Sequence, residues 1–159
     1  MPYATSSKVG ADLNNTSTTQ LFALGEKVQG SGASEWVYVV ANNTISAYKM
    51  VAMSNAFSCG GARGMDLLSG LQLGVAQTTF ASGEYGWVAI RGNSLGVLGS
   101  GSSTTTAQGI YLHGTGLVDN QASGSGTLAG ISIVSVAQTA GVTVTGMLLS
   151  YPRGKGAGL

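Results

Sequence analysis

Few residues in this chain could do chemistry, and they do not gather. The one catalytic motif is Gly92-Asn93-Ser94-Leu95-Gly96, which fits the Gly-x-Ser-x-Gly of serine hydrolases. There the serine sits on a sharp strand-to-helix turn and the partners follow in the order Ser, Asp or Glu, His. Here the only histidine is His113 and the next acid is Asp119, which reverses that order, and glycines and a short apolar run follow the serine. The chain is also short for an α/β-hydrolase, and 26 glycines make a fortuitous match easy, so the motif does not predict an enzyme. A zinc site needs three or four clustered ligands; one histidine, the single Cys59 and six scattered carboxylates offer none. Asp12, Glu26, Glu35, Asp66, Glu84 and Asp119 form no sequence-local acid pair. Arg153-Gly154-Lys155-Gly156 lacks the spacing of a phosphate-binding loop. No cofactor is expected.

Charge is as sparse as chemistry. Charged residues are 8% of the 159, against about 25% in ordinary soluble domains. A net charge of +1 predicts no direct nucleic-acid binding, and the apolar runs are too short for a membrane span. A lone cysteine excludes an intramolecular disulfide framework, and the first residues, MPYATSSKVG, carry no apolar core of a secretory signal. Gly, Ser, Thr and Ala fill about half the chain, yet WVYVV, YGWVAI and GISIVSV can bury enough apolar surface to fold. A surface so poor in charge fits a protein that works covered by copies of itself or by a partner.

The elements that would position these residues read as strands. Leu71–Gly92 predicts a hairpin, with arms Leu71–Gln77 and Tyr85–Arg91 and a connection at Ser82-Gly83-Glu84. Alternation puts Tyr85, Trp87, Ala89 and Arg91 on one face and Gly86, Val88 and Ile90 on the other. Glu35–Ala41 is bulky on both faces, as expected of a strand covered on both sides. Further strands are expected over Leu21–Val28, Ala47–Ser54, Leu95–Leu98, Gly109–His113, Gly116–Val118, Thr127–Gln138 and Val142–Tyr151, with Asn55–Gly70 a loop holding one helical turn near Asp66–Ser69. Leu73–Thr78 and Val134–Thr139 share VAQT, a weak echo of a duplicated hairpin. The fold class is therefore all-β, an antiparallel sandwich or jelly-roll-like barrel with few or no helices. The expected organisation is a flexible arm over 1–20, one domain over 21–151 and a flexible tail over 152–159.

Over residues 22–149 the layout is similar to that of bacteriophage capsid decoration (cement, or head-stabilising) proteins. The shared phrasing is a polar arm, then LFALGEKVQGSGASEWVYVVANNTISAYKMVAM, a LGVAQ strand, the arm GEYGWVAIRG, and GTLAGISIVSVAQTAGVTVTGMLL. The resemblance implies a β-sandwich, jelly roll or β-tulip that assembles as a homotrimer, or a dimer, on the outer capsid surface. It implies the major capsid protein as partner, a virion location after synthesis in the host cytoplasm, and an arm that adds to a neighbour's sheet. Expected capsid or subunit contacts are Pro2, Tyr3, Lys8 and Leu13 in the arm, Cys59, Arg63 and Met65 in the loop, and Tyr85, Trp87 and Arg91 in the hairpin. Rival expectations are a head-fibre base or tail component, and a carbohydrate-binding β-sandwich that stacks sugars on Trp36, Tyr38, Tyr85 or Trp87.

Overall fold

The structure, a computed structural model, describes residues 10–63, 66, 69–98, 110–113, 117–119, 127–133 and 143–155. It is all-β. Among the described residues ten strands form one sheet: β1 (Lys27–Gln29), β2 (Glu35–Ala41), β3 (Met50–Met53), β4 (Ser58–Gly61), β5 (Gln72–Ala76), β6 (Tyr85–Leu98), β7 (Ile110–His113), β8 (Leu117–Asp119), β9 (Thr127–Ile133) and β10 (Thr143–Lys155). One 3-10 turn, Ser31–Ala33, joins β1 to β2. Most pairings are antiparallel, as expected, but β2–β4 and β6–β8 are parallel, so the sheet is mixed.

The pairings close on themselves twice. β2 pairs with β4, β4 with β3, β3 with β5, β5 with β6, and β6 with β2 again, which makes a ring of five strands. A second ring runs β6, β10, β9, β7, β8 and back to β6. β6 belongs to both: Tyr85–Arg91 pairs with β2 and Arg91–Leu98 with β10.

Alternation along the first ring sorts its side chains. Val37, Val39, Ala41, Val51, Met53, Cys59, Ala76, Val88 and Ile90 form one buried cluster, completed by Ile45 and Phe80 from the connecting loops. These are the ring's inward residues. Gly74 makes so tight a ring possible: a Cβ there would lie 2.5 Å from Val88 Cγ1 and 2.9 Å from the Ala89 carbonyl oxygen. The outward residues Trp36, Tyr38, Leu73, Val75, Trp87 and Ala89 join a second cluster, with Met147 and Leu149 of β10 and Leu128 of β9. Both faces of β2 are thus buried, as its sequence predicts, and the first half of β6 buries Trp87 and Ala89 on one face and Val88 and Ile90 on the other.

The amino-terminal segment departs from expectation. Residues 10–20 are not a free arm but a strap on the ring's outer wall. Leu13 is 1% exposed, and burying a leucine stabilises by roughly 1.5–3 kcal/mol. Ser17 exchanges two backbone hydrogen bonds with Tyr85, at 2.9 and 2.8 Å. Phe22 then packs on Tyr38 and Trp87, with ring centroids 5.3 and 5.2 Å away. Glu84 pins the strap: its Oε2 accepts from the Ala81 N–H at 2.8 Å and from the Thr16 hydroxyl at 2.9 Å. Residues 1–9 of the expected arm lie outside the described residues.

Four further boundaries differ. The hairpin connection spans the whole stretch between Ala76 and Tyr85, where Phe80 forms a bridge with Ile45 of the β2–β3 connection, rather than a tight turn at Gly83. The expected Leu21–Val28 strand shortens to Lys27–Gln29. The Asn55–Gly70 loop contains β4, a Ser-Cys-Gly-Gly strand held by its neighbours rather than by propensity. The expected tail is a strand as far as Lys155. Pro152 fits there because the β9–β10 register shifts between Leu149 and Arg153, where no ladder donor is needed. The expected helical turn keeps its start, with Arg63 N–H donating to Asp66 Oδ2 at 2.6 Å and Asp66 N–H to the Arg63 carbonyl at 3.0 Å. The second VAQT lies outside the described residues.

Two outcomes follow from the strap. Leu13→Ala should lower unfolding free energy by about 2–5 kcal/mol in denaturant melts, as buried leucine truncations do; a change within error would mean the strap is not docked. The Thr16 and Ala81 bonds favour ionised Glu84, mainly through the Ala81 N–H, and hold its carboxyl below the ordinary 4.5. A depressed acid contributes stability above its unfolded pKa that is lost as pH falls through the folded one. Melting temperature should therefore fall below about pH 4.5, and Glu84→Gln should flatten that limb without moving the neutral-to-alkaline limb.

Candidate functional site

Two register shifts meet at one place on the surface. The β2–β6 register shifts between Glu35 and Trp36, where Glu35 opposes Arg91. On the neighbouring strand the β9–β10 register shifts between Leu149 and Arg153, and inside that shift Tyr151 adopts φ 50°. A bulky residue at positive φ is strained, and bulges re-aim the side chains they carry. Gly92, next to Arg91, has φ 92°, and a Cβ there would lie 2.7 Å from the Ser34 backbone, so only glycine fits.

These irregularities bring four residues together. The Tyr151 hydroxyl donates to Glu35 Oε2 at 2.7 Å. Lys27 Nζ lies 3.3 Å from the other carboxylate oxygen of Glu35. Lys27 Nζ is also 5.8 Å from the Tyr151 ring centroid, and the Arg91 guanidinium carbon is 5.9 Å from it, both within cation–π range. Tyr151 is 37% exposed, Arg91 is exposed, and Arg153 is exposed two residues along β10 with Pro152 buried between. Among the described residues Arg91 has no salt-bridge partner, because Glu35 turns to Lys27 and Tyr151. The face continues over β6 and β10 through Asn93 and Ser150 to Leu148, which is 45% exposed.

A cleft of about 230 Å³ opens beside this face, lined by Asn14, Ser31, Ser34, Trp36, Gln77 and Asn93. Much of its polarity is already used. Trp36 Nε1–H donates to Ser34 Oγ at 3.1 Å, and Ser34 Oγ donates to the Ser31 carbonyl at 2.8 Å. Gln77 acts as a one-residue strand on β6: its Nε2 donates to the Leu95 carbonyl at 3.0 Å and to Ser94 Oγ at 2.7 Å, while its Oε1 accepts from the Leu95 N–H at 3.1 Å. Ser94, the serine of the hydrolase-like motif, is therefore a buried residue of an unbroken strand, without the strand-to-helix turn a nucleophile elbow needs.

The expected contact residues divide sharply. Leu13, Cys59 and Trp87 are 1%, 0% and 2% exposed, each inside its own chain, so they offer a partner no surface. Tyr85 is half-buried beside Tyr38, and Arg63 is exposed far along the chain from the Tyr151 group. Of the six that lie among the described residues, Arg91 joins that group. Pro2, Tyr3, Lys8 and Met65 lie outside the described residues. Burial also takes three of the four residues of the sugar-stacking expectation: Trp36, Tyr38 and Trp87 are at most 4% exposed and sit in the packed wall, and Tyr85 is half-buried. Lys27, Glu35 and Tyr151 were missed because they meet only through strand register; each in its local sequence is an ordinary strand residue. No family model, curated protein or solved structure matches this chain.

Burial pushes the Cys59 thiol up to about 12. The thiolate is the reactive form, so native protein should resist iodoacetamide at pH 7 and at pH 9 alike and label fully in denaturant. Native labelling that accelerates with pH would show Cys59 to be accessible.

Proposed function

We propose that this chain is a structural protein that attaches to a repeating protein lattice, in the manner of a phage capsid decoration protein. The observation that carries the reading is the Arg91–Tyr151–Lys27 group. On a surface nearly bare of charge, three of the seven basic residues (Lys27, Arg91 and Arg153) surround or neighbour one exposed tyrosine. Tyrosine and arginine are the side chains that most often anchor protein interfaces. Ring closure supports the same reading: it leaves few strand edges for a partner to extend, so attachment falls to side chains of a rigid face.

On this reading the partner is the major capsid protein, copies assemble as a homotrimer or dimer, and the location is the outer surface of the virion. Residues 10–20 already pair within the chain, so they do not serve as a strand donated to a neighbour. Head-fibre and tail roles remain rival proposals of the same structural class. The test is sedimentation of the purified protein with expanded heads of the virus that encodes it, prepared without it. Saturable binding at a fixed ratio to capsid subunits, unaffected by nuclease, is expected. Protein that stays in the supernatant at all concentrations would overturn the reading.

A further inference from the structure

We infer that the Tyr151 face binds a carboxylate-bearing segment of a protein partner, with Arg91 as the receiving group. The inference rests on the lattice-binding reading only for the partner's identity, not for its chemistry.

Glu35 shows what the site accepts. Its carboxylate already takes the Tyr151 hydroxyl at 2.7 Å and Lys27 at 3.3 Å, so it serves as an internal acidic ligand on one side of the ring. On the other side Arg91 lies 5.9 Å from the ring centroid with no acid of its own among the described residues. A guanidinium presents its donors in a planar fork that matches a carboxylate in two parallel hydrogen bonds. Lys27, Arg91 and Arg153 against Glu35 leave the face with an excess of positive charge. An aspartate or glutamate arriving at Arg91 completes the arrangement that Glu35 makes at Lys27.

Shape decides between a small acid and a protein. Small ligands are held in concave pockets, whereas Arg91, Leu148, Ser150, Tyr151 and Arg153 line no part of the cleft beside this face and lie exposed along β6 and β10. Such a face suits an extended acidic segment with an apolar residue to cover Leu148. Charge decides against nucleic acid: three cations with one acid among them make no backbone-tracking stripe, and the whole chain carries only +1.

The probe is the peptide acetyl-(Glu-Gly)4-amide, added to the isotope-labelled full chain and followed by NMR chemical shifts. Shifts centred on Arg91 and Tyr151 are expected, weakening with salt. The matching Gln-Gly peptide should bind at least fivefold more weakly, as should the Glu-Gly peptide to Arg91→Gln. Arg91 is exposed, so Arg91→Gln should melt as the native chain does; Lys27→Gln, which leaves the receiving group in place, should lose less affinity. Equal binding of the two peptides, unchanged affinity in Arg91→Gln, or tighter binding of oligothymidylate would each overturn the inference. Heads that bind the protein while the peptide does not would sink this inference and leave the lattice reading standing. Peptide binding without head binding would do the reverse.

Discussion

One strand holds this molecule together. β6 bonds to β2, β5 and Ser17 along its first half and to β10 along its second, so every other strand takes its position directly or indirectly from it. Its two halves meet different demands. Tyr85–Ile90 is bulky and covered on both faces. Gly92–Leu98 is glycine-rich and needs help: the Gln77 amide supplies hydrogen bonds at Leu95, and the Tyr48 carbonyl accepts from the Val97 N–H at 2.9 Å. Buried backbone groups must be paired, and here one side chain and one loop carbonyl contribute where no neighbouring strand does.

That constraint explains the composition. Two rings sharing a strand press backbones close together, and small residues admit the contact. Gly92 illustrates it, its Cβ position lying 2.7 Å from the Ser34 backbone, and at Gly96 the same place is filled by the Met147 side chain from the neighbouring strand β10. At Gly74, Gly92 and Gly96 glycine marks close packing. The shortage of charge has a different consequence. With so few ions on the surface, the few that cluster define a face, and the Tyr151 group is that face.

The fold class was legible because bulk and alternation are local. Glu35–Ala41 is a strand to the residue, since WVYVV has no other stable use at that length. Glycine misled at β4, which reads as a loop, and at Gly92, where the hairpin arm was expected to end but β6 runs on through the expected Leu95–Leu98 strand. The strap was misread because its polar run conceals one apolar anchor, Leu13, and because the Ser17 bridge joins it to Tyr85, far along the chain. The candidate site was least legible. It depends on two register shifts and a tyrosine at φ 50°, and such features arise from how strands meet, not from any stretch of sequence.

The shared strand also imposes an order on assembly. All five strands of the first ring lie between Glu35 and Arg91, so that ring contains everything it needs once Arg91 has left the ribosome. The second ring lacks its longest wall until β10 arrives, near the end of the chain. Until then the Gly92–Leu98 half of β6 has an open edge, and Trp36 and Trp87 lack the cover of Met147 and Leu149. Pairings this distant close slowly, because loop entropy is lost before the contacts repay it. The first ring is therefore closed by one continuous stretch of chain, whereas the second joins β6 to a strand that lies far along the sequence from it.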